Sequence, residues 1–296
     1  MDTLRGIVSI AFISVHTVLW CIPLYVMGLV RIGVPVAAVR RGIGGAMDRI
    51  IDGWVASNRA LLWSLRLTKL DVRFQGDGGF RRDGWYLIVS NHQSWADILV
   101  LQDLFLGRVP PLKFFTKREL IWAPMVGVAM WLLGFPYVRR YGREVLAAHP
   151  ELREHDRNAT LRACERFLER PTCVLSFLEG TRFTPAKHAA QQSPHTWLLR
   201  PKSSGFAYVA EALDGRLGGM VDVTIDYPGG TPSFWDFLCG RCRRVDVTVA
   251  NLGVPEAVAG VVEPGGRDTL RGWIDDLWSA KDRNLTVLRA GRDGTG

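Results

Sequence analysis

Several signatures that would settle a chemistry at once are missing from this 296-residue chain. No Gly-x-Ser-x-Gly elbow occurs, so the serine nucleophile of an α/β-hydrolase is not evident. There is no phosphate-binding P-loop, no dinucleotide fingerprint and no internal repeat. Cysteine is scarce: five residues, an odd number, argue against a disulfide framework and fit a reducing compartment. Cys239-Gly240-Arg241-Cys242 is a lone C-x-x-C pair. Without a second pair or nearby histidines it is weak ground for zinc, and it opens no evident βαβ unit for redox work. His155-Asp156 lacks a partner set with ligand spacing and reads as part of a solvated helix face. No metal site is therefore expected.

Apolar residues and arginines are what the chain has in quantity. Hydrophobic residues make up 48% of it, eleven are tryptophans, and the mean hydropathy is +0.07, high for a freely soluble protein. Tryptophan favours membrane interfaces and apolar pockets. The formal net charge of +8 calls for an anionic partner. The arginines lie beside apolar stretches and form no basic helix of a DNA-binding type, which points to lipid and not to nucleic acid. The length suits one large domain or two small ones.

From Ile7 to Val30 the sequence is almost uninterruptedly apolar, long enough to cross a hydrocarbon core of about 30 Å. A second apolar piece, Ile32 to Val39, leaves open a helical hairpin dipping into one leaflet. Arg31, Arg40, Arg41 and Arg49 follow, and the positive-inside rule puts that flank in the cytoplasm. The expected organisation is a membrane anchor over 1–49, an α/β domain over 50–290 and a disordered tail over 291–296. Ile50 to Leu70 reads as an amphipathic helix, either core-packed or interfacial. Strands are expected at Asp71–Phe74, Trp85–Val89, Lys113–Thr116, Thr172–Phe177, Val221–Asp226, Arg244–Val249 and Ala257–Val262. Helices are expected at Ile98–Leu106, His155–Arg170, Gly205–Leu213 and Gly266–Lys281, with a turn-rich loop over Pro185–Pro201. Leu120 to Val138 is very apolar but broken by Pro124, Gly127, Gly134 and Pro136; it is a buried helix leading into a strand, or an acyl-chain channel.

The polar stretch Ser90-Asn91-His92-Gln93-Ser94-Trp95-Ala96-Asp97 sits where a buried strand hands over to a helix. That is where α/β proteins place chemistry. On one regular helix His92 and Asp97 would lie about 140° apart, since five residues turn through about 500°. They can meet only if His92 is in the turn and Asp97 in the first helical turn. Ser94-x-x-Asp97 also resembles a capping box, so Asp97 could be no more than a cap. The alternative is a histidine general base oriented by a carboxylate. With no protein nucleophile evident, the hydroxyl would then come from a substrate.

A second polar turn follows a second clean strand: Leu178-Glu179-Gly180-Thr181-Arg182. Glycine permits close backbone approach, and Thr181 and Arg182 offer donors suited to phosphate. The plainer reading is a β-turn with a surface arginine.

Asn91-His92-x4-Asp97, the Leu120–Arg140 block and Phe177-Leu178-Glu179-Gly180-Thr181-Arg182 occur in the order seen in the PlsC-type glycerolipid acyltransferases, which the chain resembles from about Trp85 to Tyr227. The resemblance implies a mixed β-sheet flanked by helices. It also implies acyl transfer from acyl-CoA or acyl-carrier protein to the free hydroxyl of a lysophospholipid, with no cofactor. By the family pattern His92 is the base and Asp97 its orienting partner. Glu179, Gly180, Thr181 and Arg182 match the motif that binds the acceptor's glycerol phosphate, and Lys117 and Arg139 match basic positions that assist. Lysophosphatidate is the acceptor expected, and the cytoplasmic face of a bacterial inner membrane is the expected location. Pro228 follows its strand, where the family pattern has a proline early in it. Acyl transfer to another lysophospholipid headgroup is the first alternative, and a membrane lipid hydrolase and a non-catalytic lipid-binding protein are the further competing readings.

Overall fold

The computed structural model describes residues 1–76, 79–138 and 151–293, and within these not the side chains of 117, 118, 138, 151–157, 159 and 293. Alternating burial organises the centre. On β2 (Trp85–Ser90), Tyr86 and Ile88 enter one core and Leu87 and Val89 the other, as a strand buried on both faces requires. Six strands form the sheet in the order β1 (Lys69–Gln75), β8 (Arg244–Asn251), β7 (Leu217–Asp226), β2, β6 (Cys173–Phe177), β3 (Leu112–Phe114). β7, β2, β6 and β3 are mutually parallel, β8 is antiparallel to β7, and β1 is parallel to β8. The carboxyl ends of β2, β6 and β7 therefore share one edge of the sheet with the starts of β1 and β8.

One face of the sheet carries α3 (Ala96–Phe105), α8 (Phe234–Leu238) and the end of α2 (Ala37–Ser64). The other carries α5 (Glu151–Leu168), α7 (Ser203–Ala212), α9 (Glu256–Ala259) and α10 (Gly266–Asp293). A two-stranded ribbon, β4 (Thr116–Lys117) with β5 (Tyr137–Val138), brackets a 3₁₀ turn (Arg118–Trp122) and α4 (Val126–Leu132). The Leu120–Val138 block is thus short helices leading into a strand. A mixed sheet flanked by helices agrees with the expected fold class.

At the amino end, α1 (Asp2–Gly33) is one helix long and apolar enough to cross a membrane, carried through Pro23 without a break. Val34 before Pro35 is extended, as proline demands of its predecessor, and the chain reverses into α2. The two helices pack antiparallel, and with α4 they enclose a third core of Cys21, Leu24, Met47, Ala129 and Leu132.

Four expectations are corrected. Ile32–Val39 and Ile50–Leu70 are not separate units: α2 runs from 37 to 64, straight through the boundary placed at 49. Pro185–Pro201 is not all loop, because Thr184 caps α6 (Pro185–Gln191) by accepting the Lys187 N–H at 3.2 Å, and Pro185 suits a first helical turn. Ala257–Val262 is helical, since its apolar residues Val258 and Val261 fall at i, i+3 on a single buried side. The helix α10 does not stop at Lys281 or fray at Ala290; Arg289 and Arg292 near its end are held by Asp226. Residues 294–296 lie outside the described residues.

Candidate active site

His92 follows the last residue of β2 by two positions, and the turn that holds it is stapled to β7. The Asn91 side chain donates to the Ile225 carbonyl and accepts the Ile225 N–H, both at 2.8 Å. Gln93 Nε2 adds a bond to the same carbonyl, and its Oε1 accepts from Thr231 Oγ1. The backbone of His92 is held by the loop after β6: its N–H donates to Glu179 Oε1 at 3.0 Å, and its carbonyl accepts the Phe183 N–H at 2.8 Å. The imidazole stacks on Phe177, with ring centroids 4.0 Å apart.

Asp97 lies in the first turn of α3 and is wholly buried. Its Oδ2 stands 2.8 Å from His92 Nδ1 and accepts the N–H groups of Gln93 and Ser94 at 2.7 and 3.0 Å. Its Oδ1 accepts the hydroxyl of the buried Tyr227, the residue after β7. Burial, then the nearby carboxylate, pushes that phenol well above its ordinary range, so it stays a proton donor. A buried anion needs such a donor set together with a helix amino end. Only half of the expected capping box forms: the carboxylate reaches back to the Ser94 N–H, but Ser94 Oγ, while donating to the Pro232 carbonyl, accepts the Ala96 N–H at 3.2 Å and not that of Asp97. Capping and orienting His92 are one arrangement. With Nδ1 taken, Nε2 is the ring nitrogen that remains for an incoming proton.

The Glu179–Arg182 turn approaches from β6, and its members divide. Glu179 is wholly buried; besides the His92 N–H it accepts the Leu199 N–H at 3.3 Å, and burial pushes its carboxyl up to about 8. It braces the histidine turn from inside instead of facing a ligand. Gly180 has φ +68°, and a Cβ there would sit 3.3–3.4 Å from the end of Lys202. Thr181 Oγ1 accepts from Lys187 Nζ at 2.7 Å, and the same ammonium bonds the Arg182 carbonyl. The Arg182 guanidinium lies 4.6 Å from the centroid of Trp95, just before α3, so the arginine joins the two motifs. Lys117 is on β4, paired with Val138, and Arg139 lies outside the described residues.

Sequence reasoning missed Tyr227, Lys187 and Lys281. The buried Lys281 on α10 bonds the Val223 carbonyl and Thr224 Oγ1 and stands 2.7 Å from Asp222 Oδ1 beneath the sheet. For Lys187 a signal existed, the Thr184-Pro185 helix start. The cysteines are all free and buried, and burial raises Cys164 to about 12 and Cys173 further. Among the described residues no group of three His, Cys, Asp or Glu could hold a metal ion.

Such a sheet, with a carboxylate-oriented imidazole and a cationic turn at its carboxyl edge, defines an α/β protein suited to taking a proton from a hydroxyl brought beside an anionic group. The chain belongs to the Acyltransferase family, whose model matches residues 71–227. It is 25% identical over 210 residues to 1-acyl-sn-glycerol-3-phosphate acyltransferase gamma of Mus musculus, covering 66% of this chain and 51% of that one. To the alpha enzyme of Homo sapiens it is 32% identical over 116 residues, covering 39% and 38%. The chain spans about half the length of the first of these relatives. In fold it is similar to the 1-acyl-sn-glycerophosphate acyltransferase PlsC of Thermotoga maritima, with a TM-score of 0.54 and 16% identity, covering 97% of this chain and 98% of that one.

Proposed function

We propose that the protein transfers an acyl chain from an acyl-CoA or acyl-carrier-protein thioester to the free sn-2 hydroxyl of lysophosphatidate, giving phosphatidate. One observation carries this reading: His92 Nδ1 lies 2.8 Å from the buried Asp97, in a turn whose own hydroxyls are engaged elsewhere. Ser94 Oγ donates to the Pro232 carbonyl and Ser90 Oγ to the Asn91 carbonyl. The reacting hydroxyl is then the substrate's. His92 Nε2 takes its proton as the oxygen attacks the thioester carbonyl. The tetrahedral adduct collapses, and the departing thiolate takes that proton back. Asp97 holds the ring and steadies the transient imidazolium. Arg182, with Lys117 or Arg139 as helper, holds the acceptor phosphate, while Glu179 serves from behind as a brace. The relatives' names and the cationic turn support the acceptor. α1 and the arginines behind it support a place on the cytoplasmic face of a bacterial inner membrane.

The test uses purified protein with acyl thioester and lysophosphatidate, with products read by mass spectrometry. His92→Ala is expected to lower transfer by about 10²–10⁴-fold, the usual share of a general base. Undiminished transfer in that variant would overturn the assignment. So would free fatty acid in place of diacyl lipid from the unaltered protein, since that is hydrolysis.

A further inference from the structure

A groove of about 960 Å³ runs along the open edge of β1, under the end of α2. None of its lining residues is among those bonded to His92 or Asp97. Its floor is apolar: Leu70, Val72 and Phe74 alternate along β1, with Leu104 of α3 and Leu62 and Trp63 of α2. Its walls are basic, with seven arginines and lysines against two acids. Of those acids Asp103 is engaged by Arg59, and Asp2 stands 3.9 Å from Arg5. Arg66, Lys69 and Arg243 are exposed at the groove. Arg66 takes a left-handed backbone, φ +48°, where α2 ends, and the Leu67 N–H closes back on the Leu62 carbonyl. A lining that joins a hydrocarbon floor to cationic walls suits an amphiphile with an anionic head.

The position of the groove says which amphiphile. Leu4, Val8, Val15, Leu19, Ile22, Val26 and Leu29 of α1 are exposed and fall within about 80° of one another around the helix, a single apolar stripe. Arg5, in the groove wall, lies about 100° round from Leu4, on the flank of that stripe. Trp63, 65% exposed at the groove, is the residue type that settles at a lipid headgroup boundary. The groove therefore opens beside the amino end of the surface that α1 offers to a bilayer. We infer that it is a second lipid site, apart from the catalytic one, which seats an anionic phospholipid of the surrounding membrane by its headgroup. The inference does not depend on the acyl-transfer reading.

The experiment is flotation of the full-length protein with phosphatidylcholine vesicles, with and without about one-third phosphatidylglycerol, over a range of salt. A triple variant, Arg66→Gln with Lys69→Gln and Arg243→Gln, is compared with a control, Arg162→Gln with Arg271→Gln and Arg283→Gln, on helices of the opposite face of the sheet. The unaltered protein should prefer the anionic vesicles. The groove variant should lose about 100-fold of that preference, since each cation near an anionic surface is worth about fivefold. It should still bind phosphatidylcholine through α1 and keep its basal activity in neutral detergent. The control should retain most of the preference. Equal losses in both variants would reduce the groove to diffuse charge and overturn the inference. An unchanged groove variant would also overturn it, as would displacement of anionic lipid by glycerol phosphate, free CoA or an acidic carrier protein. The three single substitutions, expected to cost about fivefold each, carry the same test should the triple variant not fold.

Discussion

Tyr227 is the residue on which the geometry of the pair turns, and it sits 130 positions from the carboxylate it serves. Its hydroxyl is the donor to Asp97 Oδ1, while Oδ2 is shared among the imidazole and two backbone N–H groups. Removing it leaves half of a buried carboxylate unpaired, and a hydrogen bond to a charged group is worth about 1.5–3 kcal/mol. Tyr227→Phe should therefore lower kcat by about tenfold or more with little change in acceptor KM. A kcat equal to that of the unaltered protein would show that Tyr227 only packs. His92 and Asp97 were legible in the sequence because five residues of spacing across a strand–helix junction is a local constraint. Tyr227 was not, since nothing near Asp226 or Pro228 marks it as facing β2. Glu179 was legible as part of a motif but not in its direction: only the fold turns it inward to the His92 N–H.

Among the elements, α1 and α2 contribute more than an anchor. Cys21 and Leu24 of α1 are fully buried against α2 and α4, Ser9 bonds the Leu238 carbonyl, and Tyr25 bonds the Met125 carbonyl at the start of α4. Among the glycines of α1, α2 and α4 the tightest point is Gly127 in α4. A Cβ there would lie 2.6 Å from the Leu120 carbonyl oxygen and closer still to that of Ile121, neither of which can rotate away. Gly127→Ala should push α4 off the preceding turn and cost about 1–3 kcal/mol, as overpacking does. A thermal melt of the detergent-purified protein should show the midpoint falling by several degrees; an unchanged midpoint would mean the turn adjusts freely. Read along the chain, Gly127 marked an interruption of an apolar run, without showing what it made room for. The helix α2 was hidden for a related reason. Its arginine-rich first half has no apolar periodicity of its own and is helical because Met47, Ile50, Ile51 and Trp54 pack on α1 and α4.

For the molecule as a whole, the buried Glu179 ties stability to pH. Its folded value of about 8 lies above an unfolded value of about 4.3, so between these the native state binds one more proton than the unfolded chain. Its contribution is fully present below the unfolded value and is lost as pH rises through about 8, at about 1.4 kcal/mol per pH unit across that window. Denaturant midpoints should accordingly fall from pH 5 to pH 8, and Glu179→Gln, which cannot ionise, should flatten that slope; an equally steep slope in the variant would locate the proton elsewhere. The sequence alone determined the α/β class, the strand–turn sites of both motifs and the apolar first helix, because each follows from local periodicity and turn chemistry. Only the tertiary structure decided that β8 reverses and brings the start of β1 to the edge that carries His92, and that Glu179 and Tyr227 close on the His92–Asp97 pair from two other strands. It alone joined α1, α2 and β1 around a basic groove. These are contacts between segments far apart in the chain, set by how a sheet buries both faces at once, and no local pattern carries them.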